Sequence, residues 1–509
     1  MSEDEMKGTI AHIDGDTAPS VGVSTVGGLE ELSNAALEKR IKRKVDWRLI
    51  PIMSCMYAIS LIDRTNLGGA RISGIDQDLG LNLGSRYSVA VLIFYISYAI
   101  IELPSNMTLR KVGAANWLSF LCLAFGLITI GIGLIHHYYQ LLVLRIFLGC
   151  MEAVSNIFQW IPSQKLCADP TFRREHFQDV SISYRLGIEN TTCRSALCAR
   201  RIGMFFSVAS FISSFGNVLA YGLTQISSEP ERHGWRWIFI IQGVIACTVG
   251  IINWFVVADF PDSPRNKFLT PEEKEALTSM LRAEWGTAEG SKVTWPIVVS
   301  VCKDWHSFAI AFVYMGGSTA TYSFLFFLPI ILRNSMGFSQ VEAFCLTAPP
   351  SAFAVVYSIL FSWLSDKFHV RGPFVLFDGV LSVVGLAMTG FAKQPAVRLV
   401  GVFFGQAGGV ALIGASLSWG QNNVFHDAKR NVTTVLQILF AAVGGVYSAL
   451  VFRQQDAPAY VPGIVAIGAL LLAGCFLSTF TSFWLYRANK KIERGELAIE
   501  NNPGLRYTW

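Results

Sequence analysis

Charged residues are scarce in this chain. Asp, Glu, Lys and Arg make up 15% of its 509 residues, whereas 52% of the residues are hydrophobic. Soluble domains carry about a quarter charged residues, so this composition excludes an ordinary soluble protein and indicates a lipid bilayer. The net charge of only +5 gives no reason to expect nucleic acid as a partner.

Signatures of enzymes and metal sites are also missing. The sequence has no GxSxG motif, no Walker motif and no cluster of metal ligands. Its ten Cys are scattered without a CxxC pair, so structural or incidental thiols are the favoured interpretation. Residues 1–37 are polar and lack the pattern of a secretory signal peptide. We expect no enzymatic activity, no cofactor and no bound metal.

Instead, the sequence has apolar runs long enough to cross about 30 Å of hydrocarbon as helices. Helix is the expected element because lipid offers no partner to unpaired backbone groups. The twelve predicted spans are 48–70, 87–107, 115–135, 139–161, 202–225, 236–258, 306–333, 345–364, 373–392, 398–419, 432–453 and 461–486. They predict an all-α membrane protein.

The polar intervals predict the domain organisation. The segments are a tail at 1–47, six helices at 48–258, a linker at 259–305, six helices at 306–486 and a tail at 487–509. Within the linker, Thr270, Pro271 and Glu273 have the pattern of a helix start. Basic runs such as "EKRIKRK" and "RANKKIER" predict that both tails are cytosolic. Anionic lipid is an expected contact of this basic face.

The predicted first and fourth spans contain charged residues. "SLIDRTN" in the first places Asp63 beside Arg64, and "LRIFLGCMEAVSN" in the fourth holds Arg145 and Glu152, seven residues apart. Seven residues are close to two helical turns, so the second pair shares one face. A charge at the centre of a span is unfavourable by roughly 2.5 to 3.5 kcal/mol. These four side chains must therefore be paired or hydrated, in a functional site or in a structural ion-pair network.

Several longer stretches resemble one known family. "DWRLIPIMSCMYAISLIDRTNLGGARISGIDQDLGL", "ELPSNMTLRKVG", "LRIFLGCMEA", "HGWRWIFIIQG" and "SWLSDKFHVRGP" are similar to the fungal allantoate and nicotinate permeases, in the anion:cation symporter branch of the major facilitator superfamily. The resemblance covers about 45–490. It implies two six-helix bundles that carry small organic anions with protons, with the plasma membrane favoured and the vacuolar membrane left open. A monomer is the expected functional unit.

The resemblance also implies roles for individual residues. Related members use the arginines that match Arg64 and Arg145 for anion recognition, and the acids that match Asp63 and Glu152 for proton coupling. The charges fit these roles, since two arginines and two carboxylates form a neutral set. An incoming carboxylate can take an arginine if an internal acid is protonated. The hypothesis is that the acid holds the place of the substrate anion.

Two further positions are candidates for the substrate wall. Tyr322 falls where the seventh helix of relatives is broken and closes over substrate, although an aromatic in a span is as often simple packing. Asn422, with Asn423, matches a family motif, and lining the cavity or capping a helix end are both open.

Two cytosolic loops are candidates for gating. Arg110 and Lys111 follow the second span, and Asp366 with Lys367 follow the eighth, at equivalent places in the two halves. Their charges are expected to latch neighbouring helices in one conformation and release them in the other. The alternative is that these charges only set the topology.

Two departures from the family are visible. The loop at 163–200 is much longer than in relatives, and a regulatory loop or a gene-model artefact are equally compatible with it. Gln242 stands where relatives often carry Glu. The leading hypothesis is proton-coupled uptake of a small carboxylate such as allantoate or nicotinate. A nutrient receptor with little flux, an exporter and an uncoupled facilitator are the alternatives.

Overall fold

The structure is a computed structural model of the chain. It describes residues 40, 43, 44, 47, 51–112, 114–165, 207–227, 230–256, 270, 295–368, 370–424, 427–456, 460–496 and 506–508. All regular structure in these residues is helical. The predicted helix start at Thr270–Glu273 lies outside this set, apart from Thr270 itself. The long loop predicted at 163–200 lies outside it from residue 166 onward.

Twelve long helices lie in the described part of the chain, close to the predicted apolar runs. They are α1 (51–70), α2 (Arg86–Val112), α3 (Ala114–Gly133), α4 (Tyr138–Lys165), α5 (207–214, continued by Gly216–Thr224), α6 (Pro230–Val256), α7 (Trp305–Ile330), α8 (Ala348–Phe368), α9 (Gly372–Phe391), α10 (Pro395–Asn422), α11 (Asp427–Val451) and α12 (Val461–Glu493). Eight of the described helices are long and apolar enough to cross a membrane by length and composition.

Shorter helical pieces extend or precede the long ones. A π-helical turn at Arg71–Ile75 and a short helix at Asp76–Leu79 continue α1, and a second π-helical turn at Ile331–Ser335 continues α7. Trp295–Lys303 precedes α7 and Gln340–Cys345 precedes α8.

Local sequence signals fix where several helices begin. The side chain of Asp304 caps α7 by accepting from the backbone N–H of His306. Ser339 and Glu342 form a capping box at the start of Gln340–Cys345. Proline occupies the first turn of α9, α10 and α12, where its missing N–H has no helical partner to lose.

One end of the molecule joins the first six helices to the last six. The Tyr87 hydroxyl donates to the Phe326 carbonyl at 3.2 Å, and the Ser88 hydroxyl donates to the Phe452 carbonyl at 3.3 Å. The Arg333 guanidinium also donates to the Ile72 carbonyl. We call this end, which contains residues 71–88, 326–340 and 452, the closed end.

Two side-chain amides hold a short segment that joins α10 to α12. Asn489 of α12 donates to the Tyr507 carbonyl at 2.8 Å and accepts from the Tyr507 N–H at 2.9 Å. Asn423, which follows α10, makes the same pair of bonds with Thr508, at 3.0 and 2.8 Å. The indole N–H of Trp419 also donates to the Thr508 carbonyl, at 2.8 Å.

We call the bonds of Asn489 and Asn423 to Tyr507 and Thr508 the clasp, and substitution of one of these two amides tests it. Asn489→Ala removes both bonds to Tyr507, and we expect the free energy of unfolding to fall by about 1–2 kcal/mol. The measurement is the thermal unfolding midpoint of purified protein in detergent. Lys491→Ala is the matched control, because Lys491 is exposed on the same helix. Equal midpoints for the two variants would show that the bonds from Asn489 to Tyr507 do not stabilise the protein.

Candidate functional site

The predicted charged residues come together in the interior between α1 and α4. Asp63 and Arg64 on α1 are 2% and 5% exposed, and Arg145 and Glu152 on α4 are each 1% exposed. Ionised side chains this deep require partners or hydration. The structure therefore assembles one cluster from two helices that are distant in sequence.

Glu152 is the acceptor at the centre of this cluster. Its Oε1 atom accepts from the Arg64 Nε at 2.6 Å, and the Arg64 Nη2 also lies 2.6 Å from it. The Ser60 hydroxyl donates to the same oxygen at 2.5 Å. Arg64 is thus paired across helices with Glu152, rather than with its neighbour Asp63.

The other two members of the charged set have unused hydrogen-bonding atoms. Both carboxylate oxygens of Asp63, and the Nε and Nη2 atoms of Arg145, are buried without a hydrogen-bond partner in the described part of the chain. The two side chains interact electrostatically. Arg145 is consequently the arginine with donors to spare.

A glycine allows α4 to come this close to its neighbours. A methyl group built on Gly149 would collide with the Ser97 hydroxyl and lie 2.5 Å from the Phe94 carbonyl oxygen, both on α2. Such contacts are shorter than any that a side chain tolerates, so only glycine fits. Gly149 lies between Arg145 and Glu152 in sequence, which explains why the charged face of α4 reaches the interior.

Aromatic rings surround the Arg64 guanidinium. Its central carbon lies 5.8 Å from the ring centroid of Phe94 and 5.6 Å from those of Tyr98 and Tyr322. The Tyr322 hydroxyl on α7 also accepts from the Arg64 Nη1 at 3.2 Å. The second group of six helices thereby contributes a polar atom to a charge cluster built by the first.

Tyr322 is supported by a close contact between α2 and α11. The rings of Tyr95 and Tyr322 lie 5.2 Å apart between centroids. A methyl group built on Gly445 would lie 2.5 Å from the Tyr95 ring. The absence of a side chain at Gly445 lets the two helices approach there.

Gly445→Ala tests this contact. The added methyl should force α11 away from α2 and lower the free energy of unfolding by about 1–3 kcal/mol, the usual effect of overpacking. Thermal unfolding of the purified protein measures it. Gly468→Ala on α12 is the matched control because no atom lies within 4 Å of its added methyl. If both variants melt alike, the two helices are not held in contact at Gly445.

Asn422 lies at the end of α10, whereas the cluster is built by side chains of α1, α4 and α7. It is the last residue of α10, where the Asn423 side chain donates to the Trp419 carbonyl at 3.0 Å. The bonds made at this position are those of a helix end and of the clasp described above. A substrate contact for Asn422 remains a prediction without support from these bonds.

Two of the predicted gating residues make local contacts. Asp366 forms an ion pair with Arg371 in the connection between α8 and α9, and the Lys367 ammonium lies 5.3 Å from the ring centroid of Trp363. Arg110 and Lys111 lie on α2, but their side chains are outside the described part of the structure. The latching of neighbouring helices by these charges stays a prediction.

Sequence reasoning missed two polar contacts near the charged set. One is the bond from the Ser60 hydroxyl to Glu152. The sequence does carry a signal for it, because Ser60 lies four residues before Arg64 and therefore on the same helix face. The other is a buried bond from the Asn66 amide on α1 to the Gln242 side chain on α6. Gln242 thus links two helices where the sequence suggested only a lost charge.

Comparisons with known proteins relate this chain to a family. Residues 198–449 match the sequence model of the Major Facilitator Superfamily. The chain resembles this superfamily over that range. Like the matching proteins, it is a transporter and not an enzyme. It also resembles, with a TM-score of 0.61 and 11% identity, the partially occluded inward-open conformation of the xylose transporter XylE from E. coli. That likeness covers 87% of this chain and 98% of XylE, and it establishes the fold alone.

Two fungal transporters extend the comparison. The chain is 27% identical over 456 residues to the high-affinity nicotinic acid transporter of Saccharomyces cerevisiae, covering 89% of this chain and 79% of that protein. It is 26% identical over 489 residues to the MFS-type transporter cnsO of Penicillium expansum, covering 92% and 88%. The predicted resemblance to fungal nicotinate permeases is confirmed.

Proposed function

We propose that this major facilitator transporter takes up a small organic anion together with protons, by alternating access. The substrate is a carboxylate such as allantoate, nicotinate or a related vitamin or nitrogen source. The named activity of the Saccharomyces cerevisiae relative, a nicotinic acid transporter, supports this substrate class. The proposal includes twelve spans, cytosolic tails and the plasma membrane.

The observation that carries the proposal is the unused donor pair of Arg145. A guanidinium that is 1% exposed, with Nε and Nη2 unbonded among the described residues, is suited to receive a carboxylate. Two adjacent N–H donors of one guanidinium match the two oxygens of a carboxylate. Substrate binding at Arg145 would satisfy both donors at once.

Charge balance supplies the link to protons. In the unliganded cluster two arginines balance two carboxylates, so the site is neutral with all four ionised. A bound monoanion adds one negative charge, and one proton on Glu152 or Asp63 restores neutrality. Moving an uncompensated charge through a low-dielectric interior is costly, so the anion and the proton should cross together.

The closed end supports alternating access. The bonds from Tyr87 to the backbone of α7 and from Ser88 to the carbonyl of Phe452, just after α11, join the two groups of helices there. For the substrate to reach the cluster from that side, these contacts must break and the halves must separate. Tyr322 and Arg64, which bond across the same division, would part in that step.

Uptake into cells that lack their own permeases tests the proposal. Radiolabelled nicotinate and allantoate are supplied at several external pH values, with a proton ionophore as the control. We expect one carboxylate to accumulate against its gradient and the accumulation to collapse with the ionophore. Binding without accumulation would support a receptor, and accumulation that ignores the ionophore would reject proton coupling.

A further inference from the structure

We propose that Ser60 is a positioning residue for proton coupling, which fixes Glu152 so that its proton is taken up and released at Oε2. This inference rests on the proposed function and deepens it by assigning the proton to one atom. The bond from Ser60 to Glu152 carries the argument, together with the unequal surroundings of the two carboxylate oxygens.

The two oxygens of Glu152 differ in every contact. Oε1 receives the Ser60 hydroxyl at 2.5 Å and two nitrogens of Arg64 at 2.6 Å. Oε2 is buried and has no hydrogen-bond partner among the described residues. A proton on Oε1 would have to displace one of these donors, whereas a proton on Oε2 would displace none. The bare oxygen is therefore the protonation site.

Ser60 contributes a neutral hydrogen-bond donor to Glu152, which Arg64 does not. Arg64 must give up its carboxylate partner, or share it, when charges rearrange during transport. The Ser60 hydroxyl is neutral and 5% exposed, and it reaches Glu152 from one turn earlier on α1. It can hold the carboxyl group in one orientation whether Glu152 is ionised or protonated. Its bond is stronger to the ionised form, because charged acceptors make stronger hydrogen bonds.

Other charged and titratable groups around Glu152 also influence its protonation. They are Arg64, Asp63 and Tyr57 on α1 and Tyr95 on α2, with Tyr322 of α7 beyond Arg64 and Arg145 of α4 beyond Asp63. None of these is altered by replacing Ser60. A change seen on removing the hydroxyl is therefore assigned to the bond from Ser60.

The test is infrared difference spectroscopy of the purified protein, without substrate, as pH is varied. Protonated carboxyl groups give a carbonyl-stretch band, and the part of that band that is lost in Glu152→Gln belongs to Glu152. In Ser60→Ala we expect the midpoint of this band to move to higher pH by about one unit. We expect its frequency to rise, because Oε1 has lost a donor.

Two variants make the result specific to the hydroxyl. Ser60→Thr retains the donor and should keep the wild-type midpoint. Thr65→Val is the matched control, since the Thr65 hydroxyl on α1 is also buried but donates to the Ile62 carbonyl at 2.7 Å. It should leave both the midpoint and the frequency unchanged.

The outcomes separate this inference from the proposed function. If the band vanishes in Glu152→Gln but Ser60→Ala shifts neither midpoint nor frequency, Ser60 has no positioning role and Glu152 keeps its own. If the band survives in Glu152→Gln and vanishes in Asp63→Asn, the proton belongs to Asp63 and the inference is overturned, although proton symport stands. Failure of gradient-driven uptake would reject the proposed function whatever the spectra show.

Discussion

Glu152→Gln is expected to abolish concentrative uptake while preserving exchange of internal for external substrate. The Gln side chain retains an oxygen that can accept from Arg64 and Ser60, so the geometry around Oε1 is kept. It has no acid to protonate and therefore imitates the protonated state. Accumulation should fall to the external concentration, because the transporter can still cycle with substrate but cannot couple to the proton gradient.

Parallel measurements of net uptake and exchange in the same proteoliposomes check this. Glu342→Gln is the matched control, since Glu342 is exposed and Gln can serve equally in its capping box. The control should accumulate substrate like the wild type. Undiminished uphill transport by Glu152→Gln would show that Glu152 does not carry the coupled proton.

Arg145→Ala is expected to remove substrate binding at normal surface expression. Loss of a buried charged partner of a carboxylate weakens binding by about 30-fold or more. Arg145→Lys should bind with intermediate affinity because an ammonium cannot offer two parallel N–H donors. Equilibrium binding of radiolabelled nicotinate or allantoate, whichever the wild type accumulates, measures both variants.

The control for Arg145→Ala removes a different arginine. Arg487 lies on the exposed surface of α12, where its central guanidinium carbon is 4.4 Å from the ring centroid of Phe483. Arg487→Ala should bind substrate with wild-type affinity. Retained affinity in Arg145→Ala would move the anion site elsewhere, and Arg64, released from Glu152 by protonation, would be the next candidate.

The positions of the helices could be predicted because each follows from a simple physical requirement. A run of about twenty apolar residues has to bury its backbone polar groups, and lipid leaves helix as the solution. The runs that predict α9 and α10 are separated by a short polar interval and meet the structure within a few residues. The charged residues were likewise conspicuous because ionised groups are expensive inside such runs.

The pairing within the cluster could not be predicted in the same way. Sequence spacing places Arg145 and Glu152 on one face of α4, but it does not say which arginine crosses to Glu152. That depends on how closely α4 approaches its neighbours, and this is set by Gly149 against α2. Ser60 carries no charge and is an ordinary small residue in an apolar helix. Its spacing from Arg64 places both residues on one face of α1, but its bond to Glu152 is seen only once α1 and α4 lie side by side.

The most direct test of the central claim records both transported species at once. Wild-type protein in liposomes, with a pH-sensitive dye inside and no imposed pH difference, is given a radiolabelled carboxylate from outside. Our account predicts that the lumen acidifies as the carboxylate enters, and that Glu152→Gln abolishes the acidification. Entry of the carboxylate at the wild-type rate without luminal acidification would contradict it.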